Sequence, residues 1–133
     1  MRSDDVLKLS LGIVTRLHVC NVPILVASKF NAHTIRVHLS RQSLQHIAEG
    51  HPDIFPSDIL QLPSAIRTGQ IFFDKLRPRH LTAVRPHPAR EKRWLMAGMK
   101  FSLATHELWI QTFHLGQRRH LRRLEEEAEL IGK

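Results

Sequence analysis

The order of patterns along the chain predicts an α+β fold: short N-terminal helices, a four-stranded antiparallel sheet with one open face, and a C-terminal helix over residues 116–133. Three observations carry this. Ser40–Pro52, SRQSLQHIAEGHP, has the marks of a short capped helix. Arg93–Leu103 alternates cleanly between apolar and polar-capable residues, and Gly116–Ile131 carries Leu121, Leu124, Ala128 and Ile131 at helical spacing.

In chain order, residues 6–19 fit helix and strand alike. After Pro23, Ile24–Ala27 and Thr34–Leu39 read as short strands, the second with Ile35, Val37 and Leu39 alternating. Ser40 stands where an N-cap hydroxyl would accept an orphan backbone N–H. Leu44, Ile47 and Ala48 make one apolar helix face, Gly50 suits a left-handed stop, and Pro52 bars continuation. A second helix is expected over Pro56–Leu62, ended by Pro63, with Ile66 in a brief helical turn before Gly69. The texture then becomes β: Ile71–Phe73, Leu81–Arg85, Arg93–Leu103 and Leu108–His114, joined through Pro78, Pro86, Pro88 and a Thr105–His106 corner. In the longest strand Leu95, Ala97, Met99, Phe101 and Leu103 face the core, while Trp94, Met96, Gly98, Lys100 and Ser102 face outward.

A chain of 133 residues is expected to form one domain with a real core. Its 20 Lys+Arg outweigh 12 Asp+Glu, a formal charge of +8. Arg predominates, and its planar fork binds two phosphate oxygens at once. A polyanionic partner follows, nucleic acid ahead of a membrane surface; the competing reading is a solubilising surface charge. Cys20, the single cysteine, excludes an internal disulfide and a thiolate-rich zinc site and suits a reducing cytoplasm. There is no HExxH and no compact His/Cys grouping, so no metal or other cofactor is expected. No apolar run reaches membrane-spanning length and no signal peptide is evident. Oligomeric state is not readable.

Several residues could do chemistry. His46 lies off the apolar stripe of its helix, where an imidazole could take and return a proton near neutral pH, or stand as an ordinary exposed histidine. His51 follows Gly50, where an imidazolium would also meet the carbonyl end of the helix favourably. Lys100, beside Gly98 and Ser102, could stabilise the extra charge of a pentavalent phosphorane. Thr112 could hydrogen-bond a phosphate oxygen, and His114 ends the same strand. A two-residue turn at Thr105–His106 would put Lys100 on a face with Gln111; a three-residue loop or a bulge would put it with Thr112. Arg67, Arg77, Arg79, Arg85, Arg90 and Arg93 crowd the loops and suit backbone phosphates. The last helix begins with Arg118, Arg119, Arg122 and Arg123 and ends in Glu125, Glu126, Glu127 and Glu129, against the macrodipole. Its basic half would serve phosphate contacts or form a self-paired solvated face.

The combination RVHLSRQSLQHIAEGHP, LPSAIRTGQIFFD, WLMAGMKFS and ELWIQTFHL resembles the barnase/EndoU/colicin/RelE-like nuclease superfold, and within it the phage-associated barnase-like branch. The resemblance covers about residues 35–115 and rests on His46-Ile47, His51-Pro52, Leu62–Gly69, Lys100 and Thr112. It implies metal-free RNA cleavage to a 2′,3′-cyclic phosphate by a toxin or phage-related effector. His46 would be the general acid or base, His51 its support, Lys100 the phosphorane stabiliser, and Thr112 the residue positioning a phosphate oxygen. Arg67, Arg85, Ser102, His114 and Arg118 would bind substrate. The chain has no Tyr and no assignable Glu base on the sheet, a departure from the barnase pattern. Two alternatives compete: a basic nucleic-acid-binding domain without catalysis, and an inactive relative that keeps an acidic inhibitor, an antitoxin or immunity protein, as its partner.

Overall fold

The computed structural model describes residues 1–131 and is organised around a seven-stranded mixed sheet. In chain order the elements are α1 (Ser3–Ser10), β1 (Arg16–Asn21), α2 (Ile24–Ser28), β2 (Arg36–Ser40), α3 (Arg41–Gly50), α4 (Pro56–Ile59), α5 (Leu62–Thr68), β3 (Gln70–Asp74), β4 (His80–Pro86), β5 (Trp94–Ser102), β6 (Glu107–Gly116), α6 (Arg118–Glu127) and β7 (Ala128–Ile131). The strand order is β1-β2-β6-β5-β4-β3-β7. Only β2 and β6 are parallel, through Val37–Leu108 and His38–Trp109.

The α+β class holds, but the sheet is larger than the four antiparallel strands expected. Those four form its contiguous block β6-β5-β4-β3. At one edge β1 and β2 extend it; a register shift between His18 and Cys20 breaks the alternation that would have marked β1 as a strand. At the other edge, residues 128–131 leave the expected C-terminal helix and pair with β3, Ile131 opposite Ile71. The helix stops at Glu127 because three successive glutamates crowd the negative end of its dipole. The expected helix also included residues 132 and 133, which lie outside the described residues.

Three local expectations are corrected. Residues 24–27 are helical because Pro23 sets the first turn, and Val26 and Ala27 alone turn inward. Gly50 is not left-handed; α3 ends because His51, preceding Pro52, is forced to an extended φ of −135°. Pro63 opens α5 instead of closing α4, its missing N–H falling among the first-turn groups that lack partners. The Ser40 cap is as expected: Ser40 Oγ accepts the Ser43 N–H at 3.1 Å.

The inner face of the sheet supplies the main core. Leu81, Ala83, Leu95, Ala97, Met99, Leu108, Ile110 and Phe113 pack with Leu9, Leu44, Ile47, Leu62 and Ile66 from the helices. A latch ties the β4–β5 loop to α4. His87 Nδ1 accepts the N–H groups of Ala89 and Arg90, so its proton sits on Nε2 and is donated to buried Asp58 at 2.7 Å. The outer face is only half open: α6 covers Phe72, Val84 and Met96 with Leu121 and Leu124.

Candidate active site on the open half of the sheet

The site is built by the β5–β6 hairpin. Ser102 pairs with Glu107, leaving a four-residue loop, Leu103–His106, and Lys100 faces Trp109. Past Met99–Ile110 the register shifts, so that Gly98 pairs with Thr112 and Gln111 is the extra residue of a β-bulge. The parity left open by the sequence is thereby settled by a bulge. Lys100 and Trp109 on one side of it, and Thr112 and His114 on the other, all point outward, while Phe113 stays fully buried. Gly98 leaves Thr112 its place, because a Cβ there would run into Thr112 Oγ1 and force that side chain to shift.

Three hollows meet at Gln111. A cleft of about 150 Å³ is lined by Thr112, Gly98, Thr82, His80, Arg77 and Asp74. A wider one of about 490 Å³ has Lys100, Ser102, Arg79, Trp109 and the exposed hairpin tip Leu103–Ala104 as its walls. A third, of about 210 Å³, is lined by His46, Gln42 and Ser43. His46 comes so close because β2 pairs with β6 over only two residues. The chain then turns into α3, which runs beside the distal half of β6.

Charge is concentrated at the first two hollows. His80 stands opposite Lys100 across β4–β5. Its partial burial, followed by repulsion from Arg77, Lys100 and Arg79, lowers its proton affinity below the usual 6.5, and Asp74 offsets this only in part. A neutral imidazole thus sits beside an ammonium. Desolvation would raise Asp74, but it accepts N–H bonds from Leu76 and Arg77 and the Arg77 guanidinium at 3.0 Å, which hold it below the usual carboxylate value. Beyond Trp109, His38 is buried and bonded through Nε2 to Glu107 at 2.5 Å, with Arg16 on the other carboxylate oxygen. Desolvation opposes ionisation of Glu107, but the His38 bond and the His38 and Arg16 charges prevail and lower it.

The remaining expected residues divide. Ser102 joins Lys100. His51, at the C-cap of α3, stacks on His114 with ring centroids 5.5 Å apart, and His114 meets His120 edge-on at 5.9 Å. Burial, and then the nearby His51 and His120, lower His114, with Asp53 opposing. Arg118 lies over Trp94, 5.6 Å from the ring. Two expected residues are not brought to this face. Arg85 pairs with Leu95 and belongs to the core-side row of β4, one residue out of phase with Thr82 and Val84. Arg67 lies on α5 in a hollow with His18, Cys20 and Pro63, away from Lys100. His80 and Gln111 are the functional candidates that were missed. His80 lies one residue before the expected strand start at Leu81, and its alternation with Thr82 and Val84 marks it as outward-facing. Gln111 stands where the apolar phase of the strand switches from Leu108 and Ile110 to Phe113 and Leu115, the signal of one extra residue.

Cys20 is no nucleophile: burial raises its thiol to about 11, despite Arg67 and the N-terminal charge. An apolar groove of about 500 Å³ between α1, α3 and α4 has no titratable side chain in its walls. Among the described residues no three His, Cys, Asp or Glu side chains are grouped to hold a metal ion, and no helix is long and apolar enough to cross a membrane. No family model, curated protein or solved structure matches the chain.

Proposed function

We propose that the chain is a metal-independent endoribonuclease, a toxin or phage-related effector working on RNA in the cytoplasm. The single observation behind this reading is the bulge at Gln111, which turns Lys100 and Thr112 onto one face beside His80, with the His46 hollow adjoining. In the proposed reaction an imidazole removes the 2′-OH proton and the O2′–P bond forms. The P–O5′ bond then breaks, the departing 5′-oxygen takes a proton, and a 2′,3′-cyclic phosphate remains. His80, neutral at pH 7, suits the base, and His46, on the far side of Gln111, suits the acid. Lys100 would stabilise the phosphorane and Thr112 Oγ1 would hold a non-bridging oxygen. Arg79, His114 and Arg118 would bind flanking phosphates without choosing sequence. A surface of this charge also suits an acidic inhibitor protein as a partner.

Incubation of the purified protein with labelled RNA in EDTA is expected to give fragments with cyclic-phosphate ends. Either His46→Ala or His80→Ala should abolish them while the circular dichroism spectrum is kept. A second reading is favoured by one observation: His46 and Lys100 border adjacent hollows instead of one. On that reading the face binds nucleic acid and cleaves nothing, and intact RNA with a steep salt dependence of binding would establish it.

A further inference from the structure

We infer that the hollow between Trp109, Arg79 and the β5–β6 tip is a nucleobase subsite, taking an unstacked base of single-stranded RNA next to the phosphate held at Lys100. This deepens the ribonuclease reading and takes the position of the phosphate from it. Three observations converge on this hollow.

The first concerns which aromatic residues remain available. Phe113 is fully buried, and Trp94 packs against Phe72, Val84 and Met96 with Arg118 above it. Trp109 is the one indole on the uncovered half of the sheet. The second is its support. On the β2 side its ring meets the His38 ring at 5.1 Å and 35°, His38 is pinned by Glu107, and Arg16 lies 6.0 Å from the indole centroid. On the β5 side, towards Lys100, the same residue borders the open hollow. The indole is thus backed on one side and free on the other, so a stacking partner would lose little freedom in ordering it. The third is the composition of the other walls. Leu103 is exposed at the tip and Ala104 follows it, giving an apolar lip, while Ser102 and Gln111 offer hydroxyl and amide groups to a base edge. Arg79 adds a guanidinium plane, and Lys100 lines the same space with a cation. About 490 Å³ accommodates a purine with room to spare. A duplex, whose bases are stacked and paired, could not present one to this wall.

The test uses the full chain with Trp94→Phe, so that Trp109 is the single fluorophore, and an uncleavable 2′-O-methyl oligoribonucleotide as the probe. Binding should quench Trp109 fluorescence; an abasic oligomer of the same length and inorganic phosphate should not. Trp109→Ala should weaken oligomer binding about tenfold to a hundredfold, measured by a label on the oligomer, with binding of inorganic phosphate unchanged; Trp109→Phe should restore most of the loss. Equal affinity for the abasic and the base-bearing oligomer, or full affinity in Trp109→Ala, overturns the subsite. The two proposals fail separately. If the parent protein leaves RNA intact yet shows base-dependent quenching, the ribonuclease reading falls and the subsite stands. If Trp109→Ala cleaves with an unchanged KM, the subsite falls and the ribonuclease reading stands.

Discussion

The outer face of this sheet has two halves built from the same strands, and they meet different fates. Around Phe72, Val84 and Met96 it is roofed by α6; around His80, Lys100 and Thr112 it is bare. Backbone geometry does not separate them, since the same β4–β5 ladder runs through both. Side-chain chemistry does. Each large apolar side chain in the roofed half gains about 1.5–3 kcal/mol from burial, enough to offset the ordering of a helix laid over it. The bare half offers a cation, an imidazole and a hydroxyl whose desolvation under a helix would cost free energy. Solvent access at the site follows from the same rule that builds the core.

The largest effect expected from breaking this division is chemical. Lys100→Gln should lower RNA cleavage about 10²–10³-fold and leave the thermal midpoint within a degree or two; unchanged cleavage would remove Lys100 from the phosphorane. On the roofed side the pattern inverts. Met96→Ala should cost about 2–4 kcal/mol in urea unfolding, with cleavage per folded molecule unchanged, and a loss of cleavage there would mean that the halves are coupled. Gly98 stands on the border. Gly98→Ala should destabilise by about 1–3 kcal/mol through its collision with Thr112, and in a Thr112→Ala background most of that cost should vanish. The smallest effect is in the pH dependence. His80 and His114 both have proton affinities below 6.5 in the folded state, so the unfolded chain binds more protons as pH falls through 6.5. Stability should therefore drop on acidification below that value and level off above it. His80→Gln or His114→Gln should each flatten the slope, and an unaltered slope would contradict the assignment. For cleavage, the acid limb should lie below 6.5 and move up in Arg77→Gln.

Much of the fold was legible in the residues. The alternation of Leu95, Ala97, Met99 and Phe101 marked the central strand, and Ser40 marked the start of α3, because each is a local signal. The sheet edges were not. β1 carries a register shift within a segment that fits helix and strand alike, and β7 hides at the end of a stripe with helical spacing, so only their partners, Val37 and Ile71, decide them. The site followed the same division. Lys100 and Ser102 are readable from one strand's pleat, whereas the company of Thr112 needs the bulge, His80 its register against Lys100, and Arg85 the pleat of β4, which puts it one residue out of phase with Thr82.

The extra residue in β6 acts as a frameshift written into a strand. Up to Ile110 the chain is read in one phase, and from Thr112 in the other. Were the strand to run on past Ile110 without the bulge, Phe113 and Leu115 would turn to water and Thr112 and His114 would be driven into the oil. Deleting Gln111 itself would leave an unbulged strand with the same residues facing inward, so the bulge spends one residue on the site without altering the core, and the exposed tip at residues 103–106 is where new contacts could be added.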